Sequence, residues 1–146
     1  MRVIGFNFKG ISSEKKKEVT NPLSINTDIN IKEIKKQEVE LFPEKEIYSF
    51  DYEFKINYED HAEINFKGII LALFDDKKIE KELEEKWKNH EIPENVKIPI
   101  MNTIFSRCNL KAMQLEEDLG LPSHLPTPRV VSQDSEKGKE LNKGKK

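Results

Sequence analysis

A single cysteine, Cys108, excludes an intrachain disulfide and any zinc site built from clustered cysteines, and it suits a reducing compartment. The three histidines are scattered: His61 sits beside Asp60 in a polar turn, and neither His90 nor His124 has a second histidine or a carboxylate at a metal-ligand spacing. Glycine is equally sparse, and its six copies form neither Gly-x-Gly-x-x-Gly nor a Walker-type loop, so no phosphate cradle is expected. The longest unbroken apolar run, Ile69 to Phe74, is far shorter than the roughly 20 residues of a membrane span, and no apolar leader follows Met1-Arg2. A surplus of one charge sign is also missing. Twenty-five basic residues stand against 27 acidic ones, leaving a net charge of −2 and no drive toward nucleic acid in general. These absences point to a soluble, cytoplasmic protein that uses neither metal nor cofactor. No pair of side chains shows the spacing of an acid, base or nucleophile, so an enzyme is not expected.

What is present is alternation. Tyr48, Phe50, Tyr52, Phe54, Ile56 and Tyr58 hold the even positions, with Ser49, Asp51, Glu53, Lys55 and Asn57 between them. That is a strand with one buried face. After Glu59-Asp60-His61 the pattern restarts with Ala62, Ile64, Phe66, Gly68, Ile70, Ala72 and Phe74, and Ile69, Leu71 and Leu73 join from the other face. Ile4, Phe6 and Phe8 mark an earlier strand near Val3–Ser12. Ile25, Ile29 and Ile31 mark another, and the break of parity at Ile34 before Val39 and Leu41 suggests a bulge within residues 25–41. Four strands with short polar connections predict a meander or a close relative of it.

Helical grammar follows Phe74. Asp75 or Asp76 can cap a helix with the narrow stripe Ile79, Leu83 and Trp87, and Pro93 ends that region. A second helix is expected to open near Pro99 and to carry Met101, Ile104, Phe105, Cys108, Ala112, Leu115 and Leu119 on one face before Gly120. The fold class expected is therefore α+β: a four-stranded antiparallel sheet, a short crossover helix and a long C-terminal helix. One domain over 1–131 is expected, with a polar tail over 132–146 too poor in apolar residues to order.

Individual residues read blandly on their own. His61 is a turn residue, Cys108 a small core hydrophobe, and the runs Lys15-Lys16-Lys17 and Lys143-Gly144-Lys145-Lys146 are solvated surface without the aromatics of a base-stacking platform. The acidic trio Glu116-Glu117-Asp118 opposes the helix dipole and reads as a solvated face.

Order and spacing together carry more. Ile-Gly-Phe-Asn-Phe-Lys-Gly-Ile-Ser-Ser (4–13), Ala-Glu-Ile-Asn-Phe-Lys-Gly-Ile-Ile (62–70) and the Gly-Leu-Pro-Ser-His-Leu-Pro terminus (120–126) make the chain resemble SecB, the bacterial export chaperone, and its relatives over roughly residues 3–130. The resemblance implies dimers with continuous eight-stranded sheets, a dimer of dimers with helices sandwiched between them, and ATP-independent holding of unfolded polypeptide. Clients would range from export substrates to a dedicated one such as an antitoxin. Pro99-Ile100-Met101-Asn102 replaces the Tyr-Ala-Arg-Glu-like opening of the bacterial proteins, and the chain is less acidic than they are, which argues against docking to the SecA motor. The departures mark a divergent member, with an archaeal source among those they allow. The apolar groove is assigned to Leu41, Phe42, Trp87, Met101 and Phe105. A non-chaperone adaptor for one folded partner, or a nucleic-acid- or ribosome-associated protein, would be the alternatives.

Overall fold

A computed structural model describes residues 1–19, 23–38 and 45–126. Four strands, β1 (Arg2–Lys15), β2 (Asn26–Gln37), β3 (Glu46–Tyr58) and β4 (Ala62–Phe74), precede two helices, α1 (Lys77–Trp87) and α2 (Glu94–Leu119). The architecture is the expected α+β one. Among the described residues no helix is long and apolar enough to cross a membrane.

The sheet is antiparallel throughout, but its order is β1-β4-β3-β2, so the expected meander holds for β2, β3 and β4 and fails for β1. Leaving β1, the chain must pass two strands to reach the opposite edge. The β3–β4 turn pins that crossing at both ends. The backbone N–H groups of Lys16 and Lys17 donate to the His61 carbonyl at 2.7 and 3.1 Å, Lys17 Nζ meets Asp60 at 2.8 Å, and the Ser24 N–H donates to Glu59 Oε1 at 3.0 Å. The parity break in β2 is a real bulge, with the register shifting between Ile31 and Glu33.

Every even residue of β3 from Tyr48 onward and every even residue of β4 is buried. Cross-strand register pairs large with small at the tyrosines: Tyr48 faces Ala72, Tyr52 faces Gly68 and Tyr58 faces Ala62. Each ring therefore has room to lean across β4. Phe54 stacks on Phe66 and Phe6 on Tyr52, extending the aromatic layer toward β1.

Asp76 caps α1, accepting from the Lys78 N–H at 2.8 Å. Helix α2 opens at Glu94 rather than at Pro99, because Pro93 takes the capping position and its carbonyl accepts from Val96 and Lys97 at 3.0 and 2.8 Å. Pro99 then lies one and a half turns inside the helix, and its ring faces solvent, where a missing N–H is cheapest. The buried row of α2 is Val96, Ile100, Ile104, Cys108, Ala112 and Glu116, a strict four-residue ladder. Because four residues exceed one 3.6-residue turn, that ladder winds slowly around the helix. Phe105 consequently leaves the buried face on which it was expected and is 41% exposed, while Leu115 and Leu119 are half-buried.

A methyl group at Gly68 would overlap the Asn7 carbonyl oxygen and the Tyr52 hydroxyl. Gly68→Ala is expected to cost about 2 kcal/mol, the usual penalty for overpacking a tight core. Tyr52→Phe, which loses a 3.4 Å bond to the Asn7 carbonyl and a weak contact with the Cys108 thiol, should cost about 1 kcal/mol. Urea unfolding of both variants measures the difference.

Candidate functional site

Helix α1 lies on the sheet through Leu83 and through one phenol. The Tyr48 hydroxyl sits 2.7 Å from Glu80 Oε1 and 2.5 Å from Glu84 Oε1, and burial followed by these carboxylates holds its pKa above the usual tyrosine value. Lys36 of β2 closes the cluster, meeting Glu46 at 2.6 Å and Glu80 at 3.3 Å. The other residues of α1's narrow stripe, Ile79 and Trp87, are half-buried. This tether holds one end of a gap between α1, α2 and the edge strand β2.

That gap is a groove of about 780 Å³. Ile29, Asn30 and Ile31 of β2 form its floor, Trp87, His90 and Ile92 one wall, and Ile98, Met101 and Asn102 of α2 the other. Glu91, Glu94 and Lys97 supply charge at its rim. Of the five residues assigned from sequence, the structure brings Trp87 and Met101 together here. Phe105 lies one turn further along α2 and does not line the groove. Leu41 and Phe42 lie outside the described residues, as does the polar tail. Ile29, Ile31, Ile92 and Ile98 were missed. The first two obey a strand alternation that signals core as readily as groove, and Ile98 preceded the expected helix start.

A second polar cluster lies at the far end of α2. Glu116, read from sequence as part of a solvated face, is buried and accepts from the Tyr58 hydroxyl, the His124 N–H at 2.8 Å and His124 Nδ1 at 2.8 Å. His124 Nε2 meets Asn109 Oδ1 at 2.8 Å. Gly120, at φ 64°, ends the helix in the left-handed conformation, and the Leu121 N–H returns to the Glu116 carbonyl at 2.8 Å. The terminal Gly-Leu-Pro-Ser-His segment is thus clasped back onto the helix.

Glu59, Asp60 and His61 come together at the β3–β4 turn, but Lys17 already holds Asp60 and keeps its carboxyl below the usual carboxylate range. Burial pushes the Cys108 thiol up to about 12, against a smaller opposing effect of the Tyr52 hydroxyl. Neither group is prepared for catalysis.

Glu116→Ala is expected to remove about 3 kcal/mol by stranding His124 and the Tyr58 hydroxyl, and to open the chain after Gly120 to limited proteolysis. Cys108 should resist thiol reagents at pH 8 until the protein unfolds. Its folded pKa of about 12 stands above the ordinary value of 9.0, so stability is full below pH 9 and falls as pH rises from there toward 12. The raised Tyr48, Tyr52 and Tyr58 act in the same sense above about pH 10. Denaturant midpoints between pH 7 and 11 measure that fall.

No protein-family model matches the chain, and no curated protein matches it in sequence. Its fold is similar to that of the Mycobacterium tuberculosis Rv1957 SecB-like chaperone, solved in complex with a ChAD peptide from the Rv1956 HigA1 antitoxin. The two agree with a TM-score of 0.52 at 12% identity, over 90% of this chain and 91% of that one. The likeness carries nothing about source organism. It establishes a SecB-like fold for this chain.

Proposed function

We propose that the protein is an ATP-independent holdase that binds unfolded or partly folded polypeptide in the groove between α1, α2 and β2. The open groove carries this reading: Trp87, Met101, Ile29, Ile31, Ile92 and Ile98 share its lining with six polar or charged residues, a mixture that can meet both the side chains and the peptide groups of an extended chain. A flexible methionine and a broad indole adapt to many side chains, which suits a binder with little sequence preference. The similar fold of a chaperone solved with an antitoxin peptide supports polypeptide as the ligand class and leaves room for a dedicated client as well as for protein export.

Assembly belongs to the same proposal. Ile98, Phe105, Leu110 and Met113 are exposed along the outer side of α2, Ile98 by 57% and Leu110 by 64%. Such a ridge suits a second copy of the chain, giving a dimer or, as a dimer of dimers, a homotetramer in the cytoplasm. The Lys15-Lys17 run offers little to a nucleic acid or to an acidic motor docking site, since Lys15 pairs with Glu18 and Lys17 with Asp60.

Dilution of three unrelated denatured proteins into buffer without nucleotide tests the reading by light scattering. Stoichiometric amounts of the protein should suppress aggregation of all three, and Trp87→Ala should weaken capture about tenfold without loss of fold. Suppression of none would end the holdase reading, and capture of one folded partner alone would favour an adaptor.

A further inference from the structure

Among the described residues, two non-glycine residues have positive φ, Glu59 at 53° and His90 at 59°. Both are in the left-handed region, where a side chain costs free energy that glycine would not. Glu59 uses its side chain: Oε1 accepts the Ser24 N–H that anchors the β1–β2 crossing. His90 has an equally specific engagement. Its ring stands edge-on to the Trp87 indole, with centroids 5.3 Å apart and planes at 75°.

We propose that His90 is a positioning residue, held in a strained backbone so that its imidazole sets the Trp87 indole as a wall of the groove. The proposal rests on the groove being the polypeptide site. The local backbone explains the placement. Helix α1 ends with the Asn89 N–H donating to Lys86, His90 to Trp87 and Glu91 to Lys86, at 3.0, 2.9 and 3.0 Å. This wrap is completed by one left-handed residue, the position that glycine or asparagine usually fills. A histidine there gives up backbone ease for a ring.

Trp87 needs that ring. It is the last residue of α1, and the fully buried residue of the helix, Leu83, lies a turn earlier. The indole is not part of the hydrophobic cluster that Ile79, Ile92 and Met101 join. With the helix finished, His90 is the aromatic ring that meets the indole among the described residues and limits how it turns. An indole fixed in advance loses less freedom when a chain binds.

His90→Gly and His90→Asn separate the two effects. Both variants suit the left-handed position, so melting temperature should hold or rise. Fluorescence of Trp87, the chain's single tryptophan, should shift to the red and be quenched more strongly by acrylamide. Affinity for carboxymethylated, permanently unfolded α-lactalbumin should fall about fivefold. His90→Phe restores a ring under strain and should recover indole shielding while lowering the melting temperature. Unchanged Trp87 emission and quenching in both His90→Gly and His90→Asn would overturn the proposal. So would altered fluorescence with unaltered affinity, provided Trp87→Ala weakens binding. Should Trp87→Ala leave binding intact, the groove reading fails instead, and the indole's positioning for capture falls with it.

Discussion

Three phenols on one strand tie both helices and the far edge strand β1 to it. Tyr48, Tyr52 and Tyr58 each lean over a small residue of β4, and each hydroxyl ends on a different element: the carboxylates of α1, the Asn7 carbonyl of β1 and Glu116 of α2. A buried hydroxyl without a partner costs about 1–3 kcal/mol, so each one constrains where its partner element lies. The alternation of β3 makes the face apolar. The tyrosines on that face make it specific.

Their spacing along the strand also leaves the groove. Tyr48 and Tyr58 stand near opposite ends of β3, roughly 33 Å apart at the rise of an extended chain. One anchors α1 and the other the last turns of α2, whose 26 residues span roughly 39 Å and bring its first turns back toward α1. A four-stranded sheet is about 15 Å between its edge strands, and a helix with its side chains is about 10–12 Å across. With α2 lying over β1 and β4, the β2 edge is not covered along its whole length, and Ile29 and Ile31 become the floor of an opening. The groove follows from this mismatch of widths.

Much of this was legible in the residues. Period-two patterns located the four strands, the parity slip at Ile34 announced the bulge after Ile31, and Asp76 and Gly120 behaved as helix boundaries. What escaped was non-local or depended on a choice between two good signals. Strand order is decided by which edge β4 offers to β1, and the turn contacts of Lys16, Lys17 and Ser24 that settle it span 35 to 45 residues. Pro99 carries a helix-start signal, but Pro93 carries one too, and choosing the later hid Ile98. Glu116 looks solvated beside Glu117 and Asp118. Its burial becomes intelligible only when Tyr58, 58 residues away, and His124 arrive together. For the groove, Trp87 and Met101 were recognisable as large side chains on sparse or flexible positions, whereas Ile29 and Ile31 gave no sign that the sheet would be left open above them.

The apolar surface that the subunit leaves uncovered comes in two shapes, and shape decides what each can accept. Along α2, Ile98, Phe105, Leu110 and Met113 are exposed on the outside of a cylindrical element, as a ridge rather than a hollow. A ridge of that kind buries most area against another ridge-and-groove surface, such as the same helix of a second copy. The groove is concave, and β2, which among the described residues has β3 as its one sheet neighbour, borders it as an edge strand. An extended chain brings both apolar side chains and unpaired peptide groups, so it matches a concave apolar floor beside a free strand edge better than a folded surface does. Ile98 is common to both surfaces, so the ridge and the groove adjoin at the first turns of α2. Packing on one therefore bears on the side-chain freedom of the other, so under the proposed reading self-assembly and client capture would meet at Ile98.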